Sequence, residues 1–285
     1  SLLIAHCSLL IAHCSLLIEM SGEFSDRNPP PSNRQLLTLA GLFVGVIVLI
    51  IWLVSAIANG LVWLIPPSVE QQIGKPFIAA YEQIAENASA QRKLNDLLDE
   101  LEAELPAENR AERDYQLLYV TESIVNALAL PGDTIVLYQG LVAQAESENE
   151  LMMVLGHELG HFANRDHLRK LGRSFLLRGA LAVIFGDGGW IESVLSSSIN
   201  RISSAQFSQS QERQADEFGL QLLVAYYGHA AGATDFFDRM ADKDRRDFAF
   251  LSTHPRPDRR VQELEKLIQQ RGYKIEARSP LPEVL

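Results

Sequence analysis

The sequence is almost free of cysteine. Its 285 residues contain only two, Cys7 and Cys14, and both lie near the N-terminus. Neither a disulfide framework nor a cysteine-ligated zinc site can therefore support the body of the protein. Because the two cysteines lie in a tail, their number does not identify the redox compartment.

The chain also lacks an excess of positive charge. Lys and Arg number 25 against 36 Asp and Glu, which gives a formal net charge of −11. A nucleic-acid-binding protein normally carries a basic face that neutralises phosphates. The composition therefore argues against nucleic acid as a partner.

A short tandem repeat occupies residues 1–19. The heptapeptide SLLIAHC occurs twice, and a third copy breaks off at Glu19. We interpret the repeat as an artefact ahead of a natural start at Met20 and exclude residues 1–19 from the fold. Residues 1–35 are expected to form an N-terminal tail. A lipoprotein signal is the alternative, but His6 and His13 stand where a small residue should precede the cysteine.

Residues 36–65 contain no charged side chain. About 20 apolar residues suffice to cross a bilayer, so this segment is long enough for a tilted helix. Trp63 lies where an interfacial aromatic residue is expected, and Pro66-Pro67 ends the helix. We predict a single membrane-spanning helix, with the lipid bilayer as a partner.

The charges that flank this segment differ on its two sides. Arg27 and Arg34 precede it, and Lys75 is the first cation after it. Because cytoplasmic flanks carry more Lys and Arg, this bias favours an extracytoplasmic C-terminal domain.

The rest of the chain predicts an α+β fold that is predominantly helical. Leucines at three- and four-residue spacing predict a helical stalk at residues 66–110, with packing on the catalytic core as the alternative. Residues 116–120, 124–130 and 134–138 predict a small sheet. We expect the catalytic domain at residues 111–275 and a C-terminal tail at residues 276–285.

One predicted helix carries a metal-binding pattern. Ser147 and Glu150 have the form of a capping box, so a helix should begin there and reach about residue 163. His157 and His161 then lie about 40° apart around the helix axis, so both imidazoles can bind one ion. Glu158 projects about 100° from His157 and can act as a base beside that ion.

A second helix, predicted at residues 208–227 and ended by Gly228, carries two acidic residues. Glu212 and Asp216 share one face, so one carboxylate can bind the metal and the other can hold a ligand histidine. Ala215 and Gly219 keep that face slim and permit close helix packing. A solvated acidic face is the alternative interpretation.

Several ordered motifs resemble the HtpX, Oma and Ste24 group of membrane-associated zinc metallopeptidases, which are gluzincins with a zincin-like domain. Residues 126–132 (NALALPG) resemble the segment before the family's edge strand, with Leu128 in place of an aromatic residue. The zinc helix and the Glu-x-x-Ala-Asp helix follow in the family's order. Residues 252–255 (STHP), with Arg260 beyond them, match the family's Thr-His-Pro element.

The resemblance implies a role for each matching residue. His157, His161 and Glu212 would bind one Zn²⁺ per chain, and Glu158 would be the general base. Asp216 and Arg260 would orient the ligands, and His254 would donate to the oxyanion. We further expect residues 134–138 to form an exposed edge strand that pairs with protein or peptide substrates, so the predicted substrate-binding residues are Asn126, Thr134, Ile135, Val136 and Leu137.

One difference narrows the resemblance. HtpX-type members carry further membrane helices, whereas the apolar stretch at residues 175–185 is too short to span, and we interpret residues 175–195 as a hydrophobic hairpin or lid. The chain is most similar to single-anchor Oma-like or periplasmic members. We predict an endopeptidase acting on misfolded or membrane-proximal proteins. A proteolytically silent holdase and a structural membrane adaptor are the alternatives, and the oligomeric state stays open.

Overall fold

The structure is a computed structural model that describes residues 31–85, 89–172, 206–241, 249–255 and 257–285. The repeat at residues 1–19 and the predicted hairpin or lid at residues 175–195 lie outside the described residues. The chain divides into two compact units, residues 1–51 and residues 52–285.

The first described helix, α1, is long and apolar. It spans Asn33–Leu61, 29 residues, and a 3₁₀ turn follows at Val62–Leu64. Ser32 caps it, since the Gln35 amide donates to the Ser32 hydroxyl at 3.3 Å and the Gln35 side chain accepts from the Ser32 amide at 2.9 Å. At 1.5 Å per residue the helix is about 43 Å long, which exceeds a hydrocarbon core of about 30 Å. By length and composition it could cross a membrane.

Within the described residues the sheet has three strands, namely β1 (Gln116–Val120), β2 (Ala127–Leu130) and β3 (Thr134–Tyr138). Their order is β1-β3-β2, with β1 parallel and β2 antiparallel to β3. The prediction that β3 is an exposed edge strand is therefore wrong. Both of its sides are paired, and the outer strands of the described sheet are β1 and β2.

Helices make up most of the remaining described chain. In chain order they are α2 (Pro67–Glu82), α3 (Ser89–Ala103), α4 (Ala107–Arg110), α5 (Gln139–Val142), α6 (Glu148–Ala163), α7 (Gln209–Tyr227), α8 (Asp235–Ala241), α9 (Ala249–Thr253) and α10 (Pro257–Arg271). Residues 166–172 are also helical. The predicted fold class, predominantly helical with a small sheet, is confirmed.

Helix α3 belongs to the core of this domain. Leu94, Leu97, Leu98 and Leu101 are fully buried and share one apolar cluster with residues of α6 and α7. The leucine spacing is thus explained by packing, which was the alternative to a helical stalk at residues 66–110. Burying a leucine side chain contributes roughly 1.5 to 3 kcal/mol, so these residues tie α3 firmly to the domain.

The C-terminal residues, expected to be a tail at residues 276–285, are packed on the domain. The carbonyl of Ser279 accepts from the amide of Glu148 at 3.1 Å, and the Ser279 amide donates to Asn149 Oδ1 at 2.7 Å. Leu281 and Leu285 pack against the main core. These contacts satisfy part of the N-terminus of α6, where helix amides lack intrahelical partners.

Helices α6 and α7 approach each other closely at small residues, as the slim face of α7 predicted. A Cβ added at Gly160 would lie 2.7 Å from Ala215 Cα, and one added at Gly156 would lie 3.0 Å from Gly219 Cα. Real Cβ contacts are longer than this, so the backbones are in direct contact. This spacing lets side chains of both helices reach one point.

We expect Gly160→Ala to lower the free energy of unfolding by about 1 to 3 kcal/mol, because the added methyl group forces α6 and α7 apart. Urea unfolding monitored by circular dichroism measures this loss. Gly41→Ala is the matched control, since nothing lies within 4 Å of a Cβ at Gly41. Equal stability of the two variants would contradict the close packing.

Candidate metal centre

Helix α6 positions the metal-binding motif. The Ser147 hydroxyl accepts from the Glu150 amide at 3.3 Å, so the helix begins where the sequence predicted. The Glu150 carboxylate accepts from the Glu146 amide at 3.3 Å and from Arg239, so the capping box is only half formed. From Asn149 to Phe162 every residue of α6 is buried. The two histidines therefore face the protein interior.

Four buried side chains meet at one point. The ligand atoms of His157, His161, Glu212 and His254 all lie within 4.8 Å of one another. The two Nε2 atoms of His157 and His161 are 3.1 Å apart. Glu212 Oε1 lies 3.7 Å from His161 Nε2, and Glu212 Oε2 lies 3.9 Å from His157 Nε2. These residues could hold one metal ion.

The other nitrogen of each α6 histidine is bound to a carboxylate. His157 Nδ1 donates to Asp216 at 2.9 Å, and His161 Nδ1 donates to Asp166 at 3.0 Å. With the proton on Nδ1, each Nε2 presents a lone pair. Burial lowers the pKa of His161 to about 4 and also lowers the pKa of His157, so it favours the neutral form of both rings. Two lone pairs that face each other repel unless a cation lies between them.

The distances fit a divalent metal ion. Zinc–nitrogen bonds of about 2.0 to 2.1 Å in a tetrahedral site place two ligand nitrogens roughly 3.3 Å apart. The observed separation of the two Nε2 atoms, 3.1 Å, is close to this value. A carboxylate orienting each ligand histidine is also typical of metal sites.

Arg260 links the two acidic residues of α7. Its guanidinium donates to Asp216 from Nε at 2.8 Å and from Nη2 at 2.6 Å, and Nη1 lies 3.0 Å from Glu212 Oε2. Its Cζ also lies 4.0 Å from the centre of the Phe237 ring. Burial alone would raise the pKa of Asp216, but the Arg260 guanidinium and His157 lower it well below its usual range. Asp216 is therefore ionised and held in one orientation.

His254 lies closer to the predicted ligands than an oxyanion donor requires. Its Nδ1 is 3.1 Å from both His157 Nε2 and Glu212 Oε1, and its Nε2 is 3.6 Å from Glu158 Oε1. Burial lowers its pKa well below the usual value, so the ring is neutral. One side of the imidazole thus faces the ligands and the other faces Glu158.

Glu158 is a buried carboxyl group beside the cluster. Neither of its oxygens makes a hydrogen bond within the described part of the chain. Burial, and next the charge of Glu212, raise the pKa of its carboxyl group to about 8, while the charges of Lys170 and Arg260, and then the backbone amide of Ala129, oppose the shift. A group that changes protonation near neutral pH is suited to proton transfer.

The outer edge of β2, and not β3, lies next to Glu158. In the antiparallel register the Tyr138 amide donates to the Asn126 carbonyl at 3.2 Å, so Ala127 and Ala129 direct their amides away from β3. The Asn126 side chain accepts from the Ala127 amide at 3.0 Å. Strand β3 is hydrogen-bonded to β1 on one side and to β2 on the other, so it has no free edge for a substrate. This applies to four of the predicted substrate-binding residues, Thr134, Ile135, Val136 and Leu137.

Sequence reasoning missed three residues of this centre. Asp166 binds His161 but lies beyond the end of α6, so helical spacing could not reveal it. The Phe207 ring stacks on His161 at 3.8 Å between centroids. Burial lowers the pKa of Lys170 to about 7, although the charges of Glu158 and Glu212 oppose this. His167 and His229 lie outside the ligand cluster.

Comparison with known proteins identifies the family. A model described as peptidase family M48 matches residues 85–268, more than half of the chain. The chain belongs to this peptidase family. The resemblance to Oma-like metallopeptidases that the motifs predicted is thereby confirmed. The family match includes α3, in agreement with its place in the core.

Several named members of the family are similar to this chain. Metalloprotease LoiP of Escherichia coli is 31% identical over 156 residues, which are 53% of this chain and 61% of that protein. Mitochondrial metalloendopeptidase OMA1 of Arabidopsis thaliana is 28% identical over 168 residues, 57% of this chain and 33% of that protein. The beta-barrel assembly-enhancing protease of Escherichia coli is 26% identical over 166 residues, which are 54% of this chain and 34% of that protein. The match thus spans less than two thirds of each relative.

Removal of the Asp166 carboxylate tests its contact with His161. We expect Asp166→Ala to weaken metal binding about 10- to 100-fold, because the imidazole loses the partner that fixes its tautomer. Competition with a chromophoric chelator measures the affinity of the purified protein for Zn²⁺. Asp238→Asn, at an exposed position on α8, should bind as tightly as wild type. Unchanged affinity of Asp166→Ala would refute this role.

The raised pKa of Glu158 predicts how stability depends on pH in metal-free protein. The unfolded chain releases this proton near the ordinary pKa of 4.5 and the folded chain near 8, so stability falls as pH rises between these values. Glu158→Gln cannot release a proton. We expect the variant to be more stable than wild type by on the order of 3 kcal/mol at about pH 8.5.

Urea unfolding of chelator-treated protein at low and high pH measures this difference. The advantage of Glu158→Gln should shrink towards pH 4.5, where the wild-type carboxyl group is neutral in both states. A difference that does not change with pH would show that burial does not shift this group.

Proposed function

We propose that this chain is a membrane-anchored, zinc-dependent endopeptidase. The observation that carries the proposal is the position of Glu158. Its buried carboxyl group makes no hydrogen bond within the described residues and lies beside two histidines whose Nε2 atoms face each other. A protein that only bound chains would have no need for a base in this position, so the arrangement argues against a silent holdase.

Zinc is the metal that the donor set favours. Two imidazoles and one carboxylate from His157, His161 and Glu212 are a common catalytic zinc set, whereas Ca²⁺ and Mg²⁺ prefer oxygen ligands. We propose one Zn²⁺ per chain. When bound, zinc supplies Lewis acidity that polarises a carbonyl group and lowers the pKa of water towards 7.

The protein groups around this site have distinct roles in the proposal. Glu158 accepts the proton of the attacking water and returns it to the leaving amine. Asp216 and Asp166 hold the two imidazoles, and Arg260 compensates the charges of Asp216 and Glu212. His254 donates to the oxyanion from its Nε2 side, which requires its Nδ1 side to move away from the ligands when substrate enters.

The substrate is proposed to bind along β2. Its outer edge directs the Ala129 amide towards Glu158, and backbone pairing with an edge strand tolerates many side chains. Only an extended or unfolded segment can present its backbone in this way. This supports misfolded proteins as substrates, and α1 supports a membrane-proximal location. Arg27 and Arg34 on the N-terminal side of the apolar segment support an extracytoplasmic catalytic domain.

Casein digestion by the purified full-length protein tests the activity. We expect digestion to stop when a chelator removes zinc and to resume when zinc is restored. Glu158→Gln should digest about 10²- to 10⁴-fold more slowly, the range expected for loss of a general base.

The matched control is Glu265→Gln, an exposed glutamate on α10. It should digest casein at the wild-type rate. Digestion that persists in Glu158→Gln or in the presence of chelator would disprove the proposed mechanism. A chain that binds zinc but never cleaves casein would support the holdase instead.

A further inference from the structure

Residues 165–169 contact both the metal centre and the segment that follows α1. Their sequence is Arg-Asp-His-Leu-Arg, and they come directly after the zinc helix α6. Asp166 faces the metal centre. Arg165 and His167 face residues 62–70, while Arg169 contacts both sides. This short segment is therefore a physical connection between the two regions.

On the metal side, every contact converges on one carboxylate. Asp166 Oδ2 accepts from His161 Nδ1 at 3.0 Å. Asp166 Oδ1 accepts from Arg169 at 3.1 Å and from Gln211 at 2.6 Å. The position of Asp166 is thus determined by the turn that carries it, by Arg169 and by Gln211 of α7, and it determines the orientation of the His161 imidazole.

On the other side, two arginines hold the end of the apolar helix. Arg165 Nη1 donates to the Val62 carbonyl at 2.8 Å and also to the Ile65 carbonyl. The Trp63 ring lies 5.7 Å from Arg165 Cζ and 5.5 Å from Arg169 Cζ. The Val62 carbonyl also accepts from the Ile65 amide at 3.3 Å, and the Arg165 guanidinium adds a second donor to it.

A buried ion pair strengthens this attachment. His167 Nε2 lies 2.6 Å from Glu70 Oε1, and Arg113 donates to Glu70 Oε2 at 2.9 Å. Burial alone would raise the pKa of Glu70, but His167 and Arg113 lower it to about 2. Glu70 is therefore ionised inside the protein and binds the segment after α6 to helix α2.

The backbone of Arg165 has a conformation that favours glycine. Its φ is 55°, in the left-handed region, and there the chain reverses direction so that Asp166 faces back towards His161. Most side chains make this conformation less favourable. A long arginine at such a position points to a role for its side chain, since the turn itself would be formed more readily by glycine.

We infer that Arg165 is a positioning residue that couples the end of the apolar helix to the metal centre. By binding the carbonyls of Val62 and Ile65 it holds the turn that places Asp166 against His161. The affinity for metal therefore depends on the attachment of residues 62–70. This inference rests on the metal centre of the proposed function and not on peptidase activity.

The substitution Arg165→Gly distinguishes the contribution of the Arg165 side chain from that of its backbone conformation. Glycine accepts the positive φ, so a residue needed only for the turn would leave stability equal or higher and zinc affinity unchanged. We expect zinc binding to weaken about three- to tenfold, less than the loss of an orienting carboxylate itself. Chelator competition on the full chain in detergent measures the affinity. Glu112→Gly, at an exposed residue with φ of 60°, is the matched control and should bind as wild type.

Trp63 provides a second, independent pair of variants. Its side chain is 54% exposed, so replacing it does not disturb the core. We expect Trp63→Ala to weaken zinc binding about two- to fivefold, whereas Trp63→Phe keeps an aromatic ring for the guanidinium groups and retains most of the affinity. Leu64→Ala, at a neighbouring residue that is 76% exposed, should have no effect.

The results separate the coupling from the proposed function. If wild type binds zinc and both Arg165→Gly and Trp63→Ala bind it equally well, the inferred coupling through Arg165 is refuted, whereas the proposed metal centre is supported. If wild type binds no zinc, the metal centre fails and the coupling fails with it. Should Arg165→Gly not fold, as judged by circular dichroism, the comparison of Trp63→Ala with Trp63→Phe decides.

Discussion

The structure depends on one electrostatic constraint, the approach of two unprotonated imidazole nitrogens in a buried site. His157 Nε2 and His161 Nε2 lie 3.1 Å apart, and each ring is held from behind by a carboxylate. Burial disfavours protonation of either ring, and a cation bound between the two nitrogens would remove the repulsion between their lone pairs. The surrounding charges and packing can be understood from this requirement.

Charge balance explains much of the polar network around the histidines. Glu158, Glu212, Asp216 and Asp166 bring four carboxylates into a small buried volume, which would be unfavourable without cations. Arg260 compensates two of them directly through contacts of 2.6 to 3.0 Å with Asp216 and Glu212. Burial and the charge of Glu212 raise the pKa of Glu158, and the charges of Lys170 and Arg260 oppose this shift without cancelling it.

Packing of α6 on α7 supplies the geometry that this chemistry needs. Only small residues at the contact permit Glu212 to reach the histidines, and bulkier ones would separate the ligand atoms by more than a metal ion can bridge. The start of α6 is bound by Ser147 and by the C-terminal residues, while the turn after it is held by Arg165. The metal-binding helix is thus fixed at both ends, which favours a preorganised site.

Local sequence patterns determined helix α6 with its two histidines, helix α7, and the shared face of Glu212 and Asp216. Helical periodicity of 3.6 residues relates positions four apart without further information. Leucine spacing determined which face of α3 is apolar but not that this face packs on α6, since many surfaces can cover an apolar stripe. Strand order was decided only by tertiary structure. The β-branched composition of β3 marks it as a strand, but its central position depends on its neighbours and not on its own residues.

The roles of Asp166 and Arg165 could likewise not be predicted from the sequence. Their roles arise from a chain reversal at a left-handed residue, and a turn of this kind places side chains by three-dimensional contacts that no spacing in the sequence encodes.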